Sequence, residues 1–288
     1  MILITGATGN LGKTTLDFLL KKVPAFSLAA MARQPEKLAG VKALGVDVRQ
    51  GDYKDPASML NAFKGIDTLF LVSSSDLTDR STQHINAIDA AKQAGVKHIV
   101  FTSFQRKTDT GSPIQFLAQS YIDSEKHLKS SGMTYTILKN GLYAEVLPMF
   151  LGQTVLETGI FFPAGATKSA YTSRKDMAEA AAAVLAGTGH ENKEYELATE
   201  ENVSFTDIAS LLSELSGKTV GYVDPVKEIF IDALTKAGVP EQMIGMAAGF
   251  AEAIKLGEFA SGKTDLQRLL GHPPVTMRES LQTLFFKQ

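Results

Sequence analysis

An α/β fold, a doubly wound parallel sheet with a smaller, mostly helical C-terminal part, is what this 288-residue sequence predicts. Three observations carry the prediction. Short apolar runs rich in Ile, Leu, Val and Phe recur through the first half of the chain. Longer amphipathic stretches separate them. The first run passes directly into a glycine-rich turn. Strands this short and this apolar are buried on both faces, as parallel strands flanked by helices are. Right-handed crossovers then wind the chain to both sides of the sheet.

The strands are expected at residues 2–5, 27–31, 46–49, 68–72, 98–102 and 134–138. Between the first two, residues 11–22 place Leu11, Leu16, Leu19 and Leu20 on one side of a helix, with Lys13, Asp17, Lys21 and Lys22 elsewhere. Pro56 opens another helix at a first-turn position, with Asp55 before it as the cap. A helix over 80–93 closes at Gly95, and one over 117–129 closes at Gly132.

After Asn140 the pattern changes. A helix is expected from Tyr143, then a strand at 160–162, an alanine-rich helix at 174–185 and a strand at 195–198. Ser204, with Asp207 three residues on, caps a helix to residue 215 that stops at Gly217. A strand follows at 219–223. Residues 226–287 read as largely helical, broken at Gly238, Gly257 and the Gly271-His-Pro-Pro loop.

Composition excludes several classes of function. The 29 basic and 31 acidic residues nearly balance, leaving no field for nucleic acid. The absence of cysteine rules out disulfides, thiolate nucleophiles and cysteine-ligated metals. The five histidines, His84, His98, His127, His190 and His272, have no metal-ligand spacing, so no metal site is expected. No stretch approaches the roughly 18 apolar residues of a membrane span, and the N-terminus lacks a charged leader, so a cytoplasmic protein is expected.

The chemistry begins at Thr5-Gly6-Ala7-Thr8-Gly9-Asn10-Leu11-Gly12, which links the first strand to the first helix. In that setting Gly6 permits a tight turn, Gly9 a close approach to a pyrophosphate, and Gly12 close helix–strand packing. The helix N-terminus then holds the phosphates, as in the Rossmann dinucleotide fold. At the end of the second strand, where an acid would bond a ribose 2′-hydroxyl, stands Arg33, followed by Lys37. Arginine matches a 2′-phosphate, so the expected cofactor is NADP(H). Asp52 and Tyr53 follow the third strand, where an adenine edge would lie. Ser73, Ser74 and Ser75 follow the fourth and face the ligand crevice.

With these residues the chain resembles the atypical short-chain dehydrogenases of the NmrA-like family, above all its bacterial NAD(P)H:quinone oxidoreductases, and also the triphenylmethane reductases. The matching segments are residues 4–12, Arg33, 48–53, 71–75, 90–97 and 135–143, with weaker matches at 189–193 and 269–272. The resemblance implies NADPH held by residues 6–11, Arg33, Ser73 to Ser75, and Asn140, Gly141, Leu142, Tyr143, Ala144 and Glu145. Residues 1–142 are expected to form the dinucleotide-binding domain, with 170–198 returning to it. Residues 143–169 and 199–288 are expected to wall the substrate cleft.

Ordinary short-chain dehydrogenases place Tyr-x-x-x-Lys on one face of a helix. Tyr135/Lys139 lies on an expected strand, where that spacing spans roughly 13 Å. Tyr171/Lys175 lies outside the expected element. The helix in question offers Tyr121 with Glu125 in place of lysine, and Lys126 is one position off the face. No tyrosinate base for alcohol oxidation is encoded.

Hydride transfer to a quinone needs none, because the acceptor is already electrophilic and water can protonate it. Tyr143, Tyr121 and Lys126 remain candidates for lining the site or donating a hydrogen bond, with packing or surface roles equally open. The expectation is an NADPH-dependent reductase of a quinone or similar planar conjugated acceptor, acting as a monomer or homodimer without a nucleic-acid or membrane partner. Its rival is a non-catalytic NADP-binding redox sensor of the same family.

Overall fold

The computed structural model describes residues 1–286. The expected C-terminal stretches run on to residues 287 and 288, which lie outside the described residues.

The first half alternates as β1 (Ile2–Ile4), α1 (Asn10–Leu19), β2 (Leu28–Ala32), α2 (Ala39–Ala43), β3 (Asp47–Gln50), α3 (Pro56–Ala62), β4 (Thr68–Leu71), α4 (Arg80–Ala94), β5 (His98–Phe104), α5 (Gln115–Ser130) and β6 (Thr134–Asn140). Asp55 caps α3 through its side chain, and Gly95 ends α4 in the left-handed region at φ +81°.

The second half runs β7 (Leu142–Tyr143), α6 (Leu147–Leu151), α7 (Val155–Thr158), β8 (Ile160–Phe161), β9 (Ser169–Thr172), α8 (Arg174–Ala186), β10 (Lys193–Leu197), β11 (Asn202–Val203), α9 (Phe205–Ser216) and β12 (Tyr222–Val223). Four helices close the chain: α10 (Lys227–Lys236), α11 (Glu241–Lys255), α12 (Leu266–Leu270) and α13 (Met277–Phe285). Ser204 and Asp207 form the expected capping box on α9.

Seven strands make one sheet in the order β10-β6-β5-β4-β1-β2-β3, and every pairing in it is parallel. Successive residues along a strand feed opposite faces. Leu3, Leu69, Leu71, Ile99 and Phe101 pack with Met59 and Phe63 of the α3 region and Ile88 of α4. Ile4, Phe70 and Val100 pack on the other side with Leu16 of α1 and Ala178, Ala181 and Ala182 of α8. The small side chains of α8 explain its alanine-rich sequence, since it lies directly against α1. A third core, separate from these faces, gathers Phe150, Phe162, Phe205, Phe250 and Phe259 in the second half.

One expectation is corrected. Tyr143 does not begin a helix. It belongs to β7, which pairs with β9 in a three-stranded sheet β11-β9-β7. A short 3₁₀ turn, Ala144–Val146, follows, and Pro148 then sits at the first turn of α6. Proline's fixed φ and missing N–H suit that position and no interior one, so the helix starts later. The strand β9 itself has no clear signature in the sequence, because Ser169, Ala170, Tyr171 and Thr172 are all buried and show no alternation.

Candidate functional site

The strand order reverses between β1 and β4, and a cleft of about 540 Å³ opens at the carboxyl ends of those strands. Open α/β sheets bind ligands at that point. Its floor is the glycine turn. Gly6 adopts φ +58°, and the Gly9 N–H closes on Gly6 O at 2.8 Å. A Cβ on Gly12 would stand 2.4 Å from Gly6 O, so only glycine lets α1 lie this close to the turn. Gly9 caps α1 without a side-chain hydrogen bond, and the first turn carries no acid. The N–H groups of Asn10, Leu11 and Gly12 are therefore left for a ligand, at the positive end of the helix dipole.

Gly6, Thr8, Gly9, Asn10, Leu11 and Gly12 all line the cleft, as do Arg33, Asp52, Tyr53, Ser73, Ser74 and Ser75. Ala7 does not; its side chain is buried in the core beside Leu11. Arg33 is exposed at the end of β2, while Lys37 sits beyond it on the 3₁₀ turn Pro35–Leu38, outside the lining residues.

The Tyr53 phenol turns inward rather than toward a ligand. Its oxygen lies 2.6 Å from both Thr5 Oγ1 and Val72 O, tying the turn after β3 to β1 and β4. Burial pushes its pKa well above the ordinary tyrosine value.

The serine run is held by the first turns of α4. The Ser74 N–H donates to His84 Nε2 at 2.9 Å, Ser74 Oγ donates to Gln83 Oε1 at 2.7 Å, and Arg80 Nε donates to Ser74 O at 2.7 Å. Because His84 Nε2 accepts, its proton sits on Nδ1, 2.9 Å from Ser124 Oγ. Burial, helped by the Arg80 charge, lowers the His84 pKa to about 3. Ser73 accepts from Thr102 Oγ1 at 3.3 Å and from the Tyr121 hydroxyl at 3.4 Å.

The segment from Asn140 to Glu145 follows β6. Asn140 Nδ2 donates to the Tyr143 hydroxyl at 3.2 Å. Burial, with a smaller push from Tyr121, raises the Tyr143 pKa to about 12, and the Arg174 guanidinium stacks 4.5 Å from its ring. Leu142 and Ala144 are buried in the third core, and the Arg174 N–H donates to the Glu145 carboxylate. Gly141 is packed closely, a Cβ there meeting Ala198 and Gln105 Oε1 at 3.0 Å. None of these six lines the main cleft. Lys126 is exposed on α5, also off the cleft.

Several cleft residues carried no sequence signal. Lys54 and Asp76 form an ion pair of 3.0 Å between the β3 and β4 loops, and Gln83 reaches back from α4. The Lys54 ammonium holds the Asp76 carboxyl below the usual carboxylate range. None of them belongs to a motif that marks it as part of the cleft. Gln105 Oε1 and Asn140 Oδ1 are buried acceptors with no donor among the described residues.

The NmrA-like family model matches residues 1–273. The chain belongs to the NmrA-like family. Quinone oxidoreductase 2 of Escherichia coli (strain K12) is 43% identical over 287 residues, covering 99% of each chain. The structure of that organism's NADPH-dependent quinone oxidoreductase in complex with NADPH superposes with a TM-score of 0.90 at 40% identity, over 99% of this chain and 100% of that one. Triphenylmethane reductase of Citrobacter sp. superposes with a TM-score of 0.91 at 35% identity, over 99% of each chain.

The Tyr-x-x-x-Lys geometry of ordinary short-chain dehydrogenases is absent from α5. Glu125 is buried and accepts from Ser103 Oγ and from Arg106 Nη1 and Nη2. Tyr135 and Lys139 lie on β6, where Lys139 pairs with Glu194. Tyr171 is buried on β9, while Lys175 lies on α8.

Proposed function

We propose that this protein is an NADPH-dependent reductase that delivers hydride to a quinone or a similar planar, conjugated acceptor. The observation that carries it is the uncapped N-terminus of α1 opening into a cleft whose far rim is Arg33, with no acid at the end of β2. The α1 N–H groups suit a pyrophosphate, and Arg33 suits a 2′-phosphate. Asp52 and the Tyr53 ring flank the adenine side, Lys37 adds positive charge beyond Arg33, and Ser73 to Ser75 flank the other half. Bound NADPH supplies the hydride; the protein supplies binding, orientation and electrostatics.

In this reading residues 1–142, with 170–198, hold the cofactor, while 143–169 and 199–288 cover the acceptor. A monomer or a homodimer is the proposed functional unit. A cytoplasmic setting agrees with a chain that has no cysteine and no helix, among the described residues, long and apolar enough to cross a membrane.

The test follows NADPH absorbance with a panel of quinones, with triphenylmethane dyes and with no acceptor. Acceptor-dependent oxidation is expected. Tight NADPH binding with no turnover would favour the redox-sensor alternative.

A further inference from the structure

Arg80 occupies a position that stability alone does not favour. It is the first residue of α4, whose N-terminus already carries partial positive charge. It is 6% exposed, and among the described residues no carboxylate lies within ion-pair distance of it. Its Nε donates to Ser74 O, and its guanidinium carbon lies 5.1 Å from the centre of the Tyr121 ring. No hydrogen bond engages its Nη1 or Nη2 among the described residues. Buried cations are ordinarily paired, because an uncompensated charge is costly to bury.

Arg80 does not itself line the cleft but is fastened to its wall through Ser74. Ser74, which it holds, lines the wall, as does Ser73, to which the Tyr121 hydroxyl donates. These serines follow β4. Arg33 follows β2, on the opposite side of β1. If a dinucleotide lies with its 2′-phosphate at Arg33, its reacting end and the acceptor lie at the β4 end, beside Arg80.

We propose that Arg80 is a specificity-determining residue that selects the acceptor by charge. It favours neutral acceptors that become anions on taking hydride, and disfavours acceptors that begin as cations. A quinone taking hydride gains two electrons and one proton to become a hydroquinone monoanion. A proton from water completes the hydroquinone, and the cofactor ends as NADP⁺. A triarylmethane cation taking hydride becomes a neutral leuco dye, so a fixed cation opposes its binding and gains nothing as charge disappears. The inference rests on the reductase function proposed above.

The test measures equilibrium binding to the full chain by calorimetry, with and without NADP⁺. The probes are 2-hydroxy-1,4-naphthoquinone (an anion at neutral pH), its neutral parent 1,4-naphthoquinone, and a cationic triarylmethane dye. Wild-type protein binds the anion more tightly than the neutral parent. Arg80→Gln weakens the anion by roughly tenfold, as loss of one nearby charge at intermediate dielectric implies. It leaves dye binding unchanged or stronger, Arg80→Lys restores the anion, and kcat/KM for quinone relative to dye falls in the same order.

Equal losses for anion and dye would overturn the proposal, as would a loss confined to NADPH affinity. If Arg80→Gln does not fold, the wild-type comparison of anion with neutral parent decides alone, and no preference there overturns it. Charge selectivity in binding without any acceptor-dependent NADPH oxidation would refute the reductase function and leave the charge selection standing. Quinone turnover whose selectivity ignores residue 80 would refute only the latter.

Discussion

Glu125 accepts two hydrogen bonds from Arg106, at 2.9 and 2.7 Å, at the position where ordinary short-chain dehydrogenases carry the lysine that tunes their tyrosine. The pair is buried, its side chains 5% and 8% exposed, and Ser103 donates to the same carboxylate. The helical face that could have built a base instead fastens β5 to α5. Glu125→Lys is expected to destabilise the protein by about 3–5 kcal/mol, because it sets two cations against each other in place of a pair. It confers no alcohol dehydrogenase activity. Urea unfolding together with an alcohol-oxidation assay checks both outcomes.

Arg33→Ala is expected to weaken NADPH by about 1.5–3 kcal/mol, the range for hydrogen bonds to a charged group. NADH binding should hardly change, since no 2′-phosphate is present. Titration of both cofactors against wild type and variant reads the difference; equal losses would remove Arg33 from this role.

Gly12→Ala forces a methyl group against the Gly6 carbonyl, a backbone atom that cannot swing aside. A cost of about 1–3 kcal/mol is expected from such overpacking, with weakened cofactor binding as α1 moves away from the turn. Thermal unfolding and a cofactor titration on the same sample check the two effects together.

Tyr53→Phe separates a structural hydroxyl from a ligand contact. The hydroxyl bridges Thr5 and Val72, so its loss should cost roughly 1–3 kcal/mol of stability as buried partners go unpaired. The ring remains, and NADPH affinity should stay within about twofold, equivalent to a few tenths of a kcal/mol. A large loss of affinity with unchanged stability would place the hydroxyl on the ligand instead.

His84 ties stability to pH. Its pKa falls from 6.5 to about 3 in the folded protein because burial disfavours the charged ring. The unfolded chain takes up a proton below its own value while the folded one does not. Stability is therefore unaffected above about pH 6.5 and falls as pH drops from there toward about 3. The slope from this one group is at most about 1.4 kcal/mol per pH unit. Unfolding at pH 7 and pH 5 should show a smaller decrease for His84→Gln than for wild type.

The sheet was legible because most of its first six strands carry short apolar runs, β3 (Asp47–Gln50) being a polar, partly exposed edge strand, and their ends match the expected ones to within two residues. The glycine turn was legible because strand, turn and helix adjoin in sequence. Arg33 needed only the end of β2 to be located. What was hidden depends on distant segments meeting. The Lys54–Asp76 pair joins the loops after β3 and β4, Gln83 turns back from α4 onto Asp76, and the unpaired acceptors of Gln105 and Asn140 depend on the packing around the ends of β5 and β6. Tyr53 lines the cleft, but the direction of its hydroxyl follows from Thr5 and Val72, which no local pattern links to it. The helix expected from Tyr143 gives way to a strand because β7 pairs with β9 and Pro148 sets a later helix start.

The most direct measurement is anaerobic mixing of the protein with NADPH and a neutral naphthoquinone, with both species followed by absorbance. NADPH and quinone should disappear in equal amounts, only when protein is present, and the rate should fall when NADH replaces NADPH. NADPH that binds tightly yet is never consumed by any planar acceptor would contradict a reductase and leave a nucleotide-binding sensor in its place.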